Sequence, residues 1–162
     1  MFNYTSDSEG KRSKRYVNSF DSAFLFICPY GQTISRISSY HNDNYEDRRF
    51  SIDCATPRSS IGSCSLSGYV NSFDRPFEYI CPSNRVISGM GGYHSNSYED
   101  RRWQYWCCGG SLRVGSCYWT SYVNYFDEYF NFYVPYGSYI TGVSSYHDNG
   151  YEDRRFRFRI CY

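Results

Sequence analysis

The sequence predicts an all-β, disulfide-stapled domain with pseudo-threefold symmetry, and three observations carry that reading. A motif recurs at a constant spacing of 53 residues, aromatic residues alternate with polar ones over short stretches, and the strong aliphatic helix formers are almost missing. Of 162 residues, 20 are Tyr, 12 Phe and 3 Trp, whereas Ala occurs only at Ala23 and Ala55 and Leu only at Leu25, Leu66 and Leu112. Such a composition disfavours helices and suits half-buried strands.

The repeat opens with Tyr16-Val17-Asn18 and Phe20-Asp21, which return as Tyr69-Val70-Asn71 with Phe73-Asp74 and as Tyr122-Val123-Asn124 with Phe126-Asp127. A strand is expected next, because Phe24, Phe26 and Cys28 alternate, as do Phe77, Tyr79, Cys81 and Phe130, Phe132, Val134. Turns follow at Pro29-Tyr30-Gly31, Pro82-Ser83-Asn84 and Pro135-Tyr136-Gly137. The polar stretch from Tyr40 to Arg49 is expected to form a surface loop between two strands, and the identical blocks at Tyr45, Tyr98 and Tyr151 run Tyr-Glu-Asp-Arg-Arg. A further strand carries Phe50, Ile52 and Cys54, then Trp103, Tyr105 and Cys107, then Phe156, Phe158 and Ile160. Three or four strands per unit follow, in one domain, 1–162, of three repeats at about 2–54, 55–107 and 108–160. Three equal β units imply a β-prism or a β-trefoil.

The eight cysteines obey the same offset. Cys28 and Cys81 are equivalent, as are Cys54 and Cys107, Cys64 and Cys117, and Cys108 and Cys161. The third repeat has Val134 and Ile160 where one bridge type would sit, and the first has Lys11 where Cys64 recurs. The expected bridges are therefore Cys28–Cys54, Cys81–Cys107, Cys64–Cys108 and Cys117–Cys161, with exchange between the adjacent Cys107 and Cys108 the alternative. No Cys-x-x-Cys pair suggests zinc. Paired cysteines imply a secreted, extracellular protein, for which Asn3-Tyr4-Thr5 is a glycosylation sequon.

Net charge of +1 argues against a nucleic-acid partner, and no apolar run approaches a membrane span, so membrane insertion is not expected. Lys occurs only at Lys11 and Lys14, in a cluster ending at Arg15 that reads as a solvated tail. The three His residues, His41, His94 and His147, hold one equivalent place per repeat. With Tyr45, Glu46 and Arg49, and the counterparts Tyr98, Glu99, Arg102 and Tyr151, Glu152, Arg155, they offer a ring for a sugar face, carboxylates to accept from hydroxyls, and guanidinium groups to donate. These are the expected ligand contacts. Asp47 with Arg48, Asp100 with Arg101 and Asp153 with Arg154 are expected to be structural ion pairs inside each loop, the Arg stacked on a ring. A His₃ metal centre requires the loops to converge on the axis; no metal, cofactor or catalytic residue is expected, since no nucleophile elbow, HExxH or phosphate loop accompanies the His residues.

The blocks Asp47-Arg48-Arg49-Phe50, Asp100-Arg101-Arg102-Trp103 and Asp153-Arg154-Arg155-Phe156, with Cys28-Pro29-Tyr30-Gly31, Phe73-Asp74-Arg75-Pro76-Phe77 and the run Trp103 to Cys108, resemble the dermatopontin family over about residues 16–162. That resemblance implies a non-enzymatic extracellular role: binding proteoglycans and other glycans, with haemagglutination or cell aggregation among invertebrate members. A fainter similarity to the egg vitelline outer-layer protein favours the prism over the trefoil. The chain departs from vertebrate members in being less acidic and in carrying Tyr-His and Tyr-Glu in every repeat. The expected function is a secreted lectin-like protein with up to three equivalent glycan sites that agglutinates or crosslinks cells. The alternative is a matrix or adhesion protein recognising sulfated glycosaminoglycans or matrix proteins, and self-association into a homo-oligomer stays open.

Overall fold

The computed structural model describes residues 4–6, 12–14 and 16–162. Asn3 of the sequon, Lys11 and Arg15 lie outside the described residues. The described residues contain strands and no helix. Strand β1 (Tyr4–Ser6) pairs antiparallel with β2 (Arg12–Lys14), so the described part of the segment read as a solvated tail, residues 12–14, is a paired strand.

The first repeat then supplies β3 (Phe24–Ile27), β4 (Thr33–Asn42) and β5 (Asp47–Ala55). The second supplies β6 (Ile61–Leu66), β7 (Phe77–Ile80), β8 (Val86–Ser95) and β9 (Asp100–Gly110). The third supplies β10 (Cys117–Trp119), β11 (Phe130–Tyr133), β12 (Tyr139–Asp148) and β13 (Asp153–Cys161). The long hairpins β4–β5, β8–β9 and β12–β13 each contain a bulge at the same place, between Ile34 and Arg36, Ile87 and Gly89, and Ile140 and Gly142.

Sheet membership does not follow the repeats. The short strand β3 joins β8 and β9 of the second repeat, β7 joins β12 of the third, and β11 closes the set on β4 of the first. Every hairpin is thus completed by a strand from the repeat before it. The resulting sheets run β3-β8-β9-β6, β7-β12-β13-β10 and β11-β4-β5. Among the described residues the last has no fourth strand.

The inner faces meet where Phe50, Trp103 and Phe156, the equivalent aromatic residues, touch edge to face with centroids 5.2, 5.8 and 6.1 Å apart. Around them pack Ile34, Ile37, Ile52, Ile87, Met90, Ile140 and Val143. Burying three large rings and a shell of branched side chains is the main driving force for closing the sheets on one another. Bridges Cys28–Cys54, Cys81–Cys107, Cys64–Cys108 and Cys117–Cys161 staple the strands, the set that the 53-residue offset predicts, and no described cysteine is free. In the third repeat Val134 and Ile160 pack as hydrophobic residues instead.

Candidate functional site

The repeats meet at three equivalent seams, and the charged blocks lie there. Strands β4 and β5 extend through most of the stretch read as a loop: Tyr40 pairs with Arg49, His41 with Arg48 and Asn42 with Asp47, leaving only residues 43–46 as the turn. Pairing wins over an open loop because neighbouring repeats enclose these side chains. Asn18 fixes the incoming chain, its amide donating to the Arg48 carbonyl at 2.9 Å while its oxygen accepts from Phe50 N–H at 2.8 Å. Asn71 and Asn124 make the same two bonds to Arg101 and Trp103 and to Arg154 and Phe156.

The ion pairs differ from the expected ones in their partners. Arg48 bonds Asp153 through Nε and Nη2, both at 2.7 Å; Arg101 takes Asp47 and Arg154 takes Asp100 in the same bidentate way. Each Arg reaches into the preceding repeat, not to its sequence neighbour. Adjacent residues on a strand point to opposite faces, so Asp47 and Arg48 cannot chelate one another, whereas the seam brings Asp47 against Arg101. All six side chains are 2–4% exposed. The guanidinium groups also lie 5.4–5.7 Å from the centroids of Phe130, Phe24 and Phe77. Asp153, Asp47 and Asp100 accept in addition from the N–H groups of Asp127, Asp21 and Asp74. A bidentate pair with further donors is the form in which buried charge is tolerated.

His41, His94 and His147 are enclosed at the same seams, their side chains 1% exposed. Their Nε2 atoms face the carbonyls of Glu152, Glu46 and Glu99 at 3.2, 3.3 and 3.2 Å. Their Nδ1 atoms face the carboxylates of Asp127, Asp21 and Asp74. The sequence gives the His period but not its enclosure. Glu46, Glu99 and Glu152, at left-handed φ of 48–50°, surround a shallow depression floored by the Arg–Asp pairs, Trp103 and Phe156. Burial raises their carboxyl pKa values above the ordinary range, outweighing the attraction of the neighbouring His residues. Asp127 is raised too, by burial and by the Asp153 and Asp43 carboxylates, against the opposing effect of His41.

The exposed part of each block is aromatic. Tyr45 stacks on Phe20 with centroids 4.7 Å apart and planes 9° off parallel, and Phe20 meets Tyr40 edge-on. Phe73 with Tyr98 and Phe126 with Tyr151 repeat the stack at 4.8 Å. Tyr45, Tyr98 and Tyr151 remain 48, 50 and 52% exposed. Arg49 lies 4.3 Å from the Tyr16 ring centroid and donates to the Asn18 carbonyl; Arg102 and Arg155 sit likewise on Tyr69 and Tyr122. The structure therefore brings Tyr, Glu and Arg of each block around a seam whose His is covered. Sequence reading missed Phe20, Phe73 and Phe126 as supports of the exposed rings, although their period signals them.

These features define a disulfide-bonded, all-β protein in which three seams repeat one arrangement of aromatic, acidic and basic side chains. The family model described as Dermatopontin matches residues 18–162, and the chain belongs to the dermatopontin family. Its relatives include Millepora cytotoxin-1 of Millepora dichotoma, 42% identical over 93% of this chain and 67% of that protein. The hemagglutinin/amebocyte aggregation factor of Limulus polyphemus is 40% identical over 92% of this chain and 88% of its own length. Dermatopontin of Biomphalaria glabrata is 39% identical over 90% of this chain and 99% of its own. No solved structure matches the chain.

Proposed function

We propose that the chain is a secreted, non-enzymatic lectin-like protein that agglutinates or crosslinks cells through three equivalent glycan sites. The observation that carries this reading is the threefold recurrence of a half-exposed Tyr held flat on a half-buried Phe, in a block that also carries a Glu and a Tyr-stacked Arg. An immobilised ring binds a sugar face with little loss of conformational freedom, and the adjacent carboxylate and guanidinium fix hydroxyl orientation. In this reading Tyr45, Glu46 and Arg49, with Tyr98, Glu99, Arg102 and Tyr151, Glu152, Arg155, touch the glycan. His41, His94 and His147 set the position of Glu46, Glu99 and Glu152 from below. The kinship with the Limulus factor, named for hemagglutination and aggregation, supports the crosslinking role. Three weak sites on one rigid body crosslink through avidity. We take residues 1–162 as one domain of three 53-residue repeats, its three sheets forming the sides of a β-prism.

The matrix-adhesion reading draws on the Biomphalaria dermatopontin. Of the cationic groups a glycosaminoglycan would need, Arg48, Arg101 and Arg154 are buried in ion pairs and Arg36 is bound to Asp53, which leaves exposed residues such as Arg58, Arg75 and Arg113 to carry that reading. Erythrocyte agglutination and glycan-array binding by the Tyr45→Ala, Tyr98→Ala and Tyr151→Ala variants test the proposal. Each single variant should remove about one site and lower agglutination more steeply than binding, and the triple variant should lose both with its fold intact. Undiminished agglutination by the triple variant refutes the assignment. Inhibition by salt with none by neutral sugars transfers it to the polyanion reading.

A further inference from the structure

Where two carboxylates converge on an enclosed imidazole nitrogen, the site calls for a cation. His41 Nδ1 lies 3.2 Å from Asp43 Oδ1 and 3.1 Å from Asp127 Oδ1. These three donor atoms lie within 4.8 Å of one another. The His41 side chain is 1% exposed and that of Asp43 78%, so the nitrogen is shielded while one carboxylate opens to solvent. An entry path therefore exists.

The other face of the ring fixes the tautomer. Nε2 faces the Glu152 main-chain carbonyl, which only accepts, so Nε2 carries the hydrogen, and a cation held between Nδ1 and the two carboxylates would meet the Nδ1 lone pair. A backbone carbonyl behind the ligating imidazole is the usual support of a metal-bound His.

The His41 Nδ1 to Asp43 Oδ1 contact has hydrogen-bond geometry, but at 3.2 Å it is longer than a tight charge-assisted pair. Charge-assisted N–H···O bonds run at about 2.7–2.9 Å. Donors around a tetrahedral cation with bonds of about 2.0–2.1 Å lie about 3.3 Å apart. The two remaining seams show the same spacing, with His94 Nδ1 3.2 Å from Asp21 and His147 Nδ1 3.3 Å from Asp74. Neither of those buried nitrogens has a hydrogen-bond partner, although each points at a carboxylate.

We propose that the seam at His41 binds a first-row divalent cation, Zn²⁺ foremost, through His41 Nδ1, Asp43 and Asp127, with water completing the coordination. The mixed nitrogen and carboxylate set suits Zn²⁺ better than Ca²⁺, which prefers oxygen ligands throughout. The other two seams are weaker versions. Asn96 and Asn149 replace Asp43 there, and the carboxylates at hand, Asp47 and Asp100, each hold an Arg. This departs from the metal-free protein expected from sequence, because the donors come from different repeats with no short-range ligand spacing.

Calorimetric titration of the chelator-treated full chain with ZnCl₂, and separately with CaCl₂, tests the site. One tight Zn²⁺ site is expected, with Ca²⁺ bound at least about tenfold more weakly. Asp43→Asn, an exposed substitution that leaves the fold intact by near-ultraviolet circular dichroism, should weaken Zn²⁺ about tenfold or more, as loss of a ligand demands. Asp21→Asn, at another seam, should leave the tight site unchanged. Absence of saturable Zn²⁺ binding, an unchanged affinity in Asp43→Asn, or Ca²⁺ bound as tightly as Zn²⁺ overturns the proposal; the first would mean that the carboxylates hold a protonated imidazole.

Discussion

Replacing Asp153 by Ala removes the carboxylate that receives both Nε and Nη2 of Arg48 at 2.7 Å, in a pair whose side chains are 4% and 2% exposed. Arg48 then retains the Glu128 carbonyl and a 3.5 Å contact to Ser39, so its charge stays buried without a counterion. Breaking a buried pair from one side costs about 3–5 kcal/mol. The N–H of Asp127 also loses its acceptor, adding about 1 kcal/mol. At about 2–4 °C per kcal/mol for a chain of this size, the melting temperature should fall by about 10–20 °C. Removing both partners, as Arg48→Met with Asp153→Ala, should be milder than Asp153→Ala alone, because no charge is stranded. The assay is guanidinium denaturation with the disulfides intact, read from tryptophan fluorescence and arranged as double-mutant cycles. Arg48 and Asp153 should couple by about 1–3 kcal/mol, and Arg48 and Asp47 by less. A larger coupling of Arg48 to Asp47 would refute the cross-repeat pairing, and a loss of less than about 1 kcal/mol in Asp153→Ala would refute the burial argument.

Asn71→Ala strands the Arg101 carbonyl and the Trp103 N–H in the interior, so a loss of about 2–5 kcal/mol is expected in the same denaturation assay. Trp103→Ala should cost about 3–5 kcal/mol by opening the aromatic centre. Trp103→Phe reproduces what stands at Phe50 and Phe156, and thermal denaturation should show it losing less than half as much.

The period made strand positions and bridge pairs legible, because bridges at Cys28–Cys54 and Cys81–Cys107 repeat one separation of 26 and those at Cys64–Cys108 and Cys117–Cys161 one of 44. Lys11 in place of a cysteine likewise marks the first repeat as different, and among the described residues the sheet built on β4 and β5 is the one with three strands. Which copy supplies a partner was not legible. A residue list that is invariant under a shift of 53 positions reads the same whether Arg48 meets Asp47 of its own repeat or Asp153 of another. Only the alternation of strand faces argues against the local pair, and the polarity of the Tyr40–Arg49 stretch obscured that it was strand. The enclosure of His41 stayed hidden for the same reason, since the groups that cover it, Glu152 and Asp127, belong to another repeat far along the chain.

The handing of β3, β7 and β11 from each repeat to the next has a consequence for how such a chain could arise. One 53-residue unit on its own offers a hairpin lacking its edge strand and a strand lacking its sheet, so it satisfies neither. Three separate copies exchanging these strands satisfy all of them at once, by domain swapping around a ring. The present chain has the connectivity of such a trimer after gene fusion. Its copy number is then set by ring closure: a duplication giving two or four units would have to open a different angle at every seam, remaking each Arg–Asp pair together.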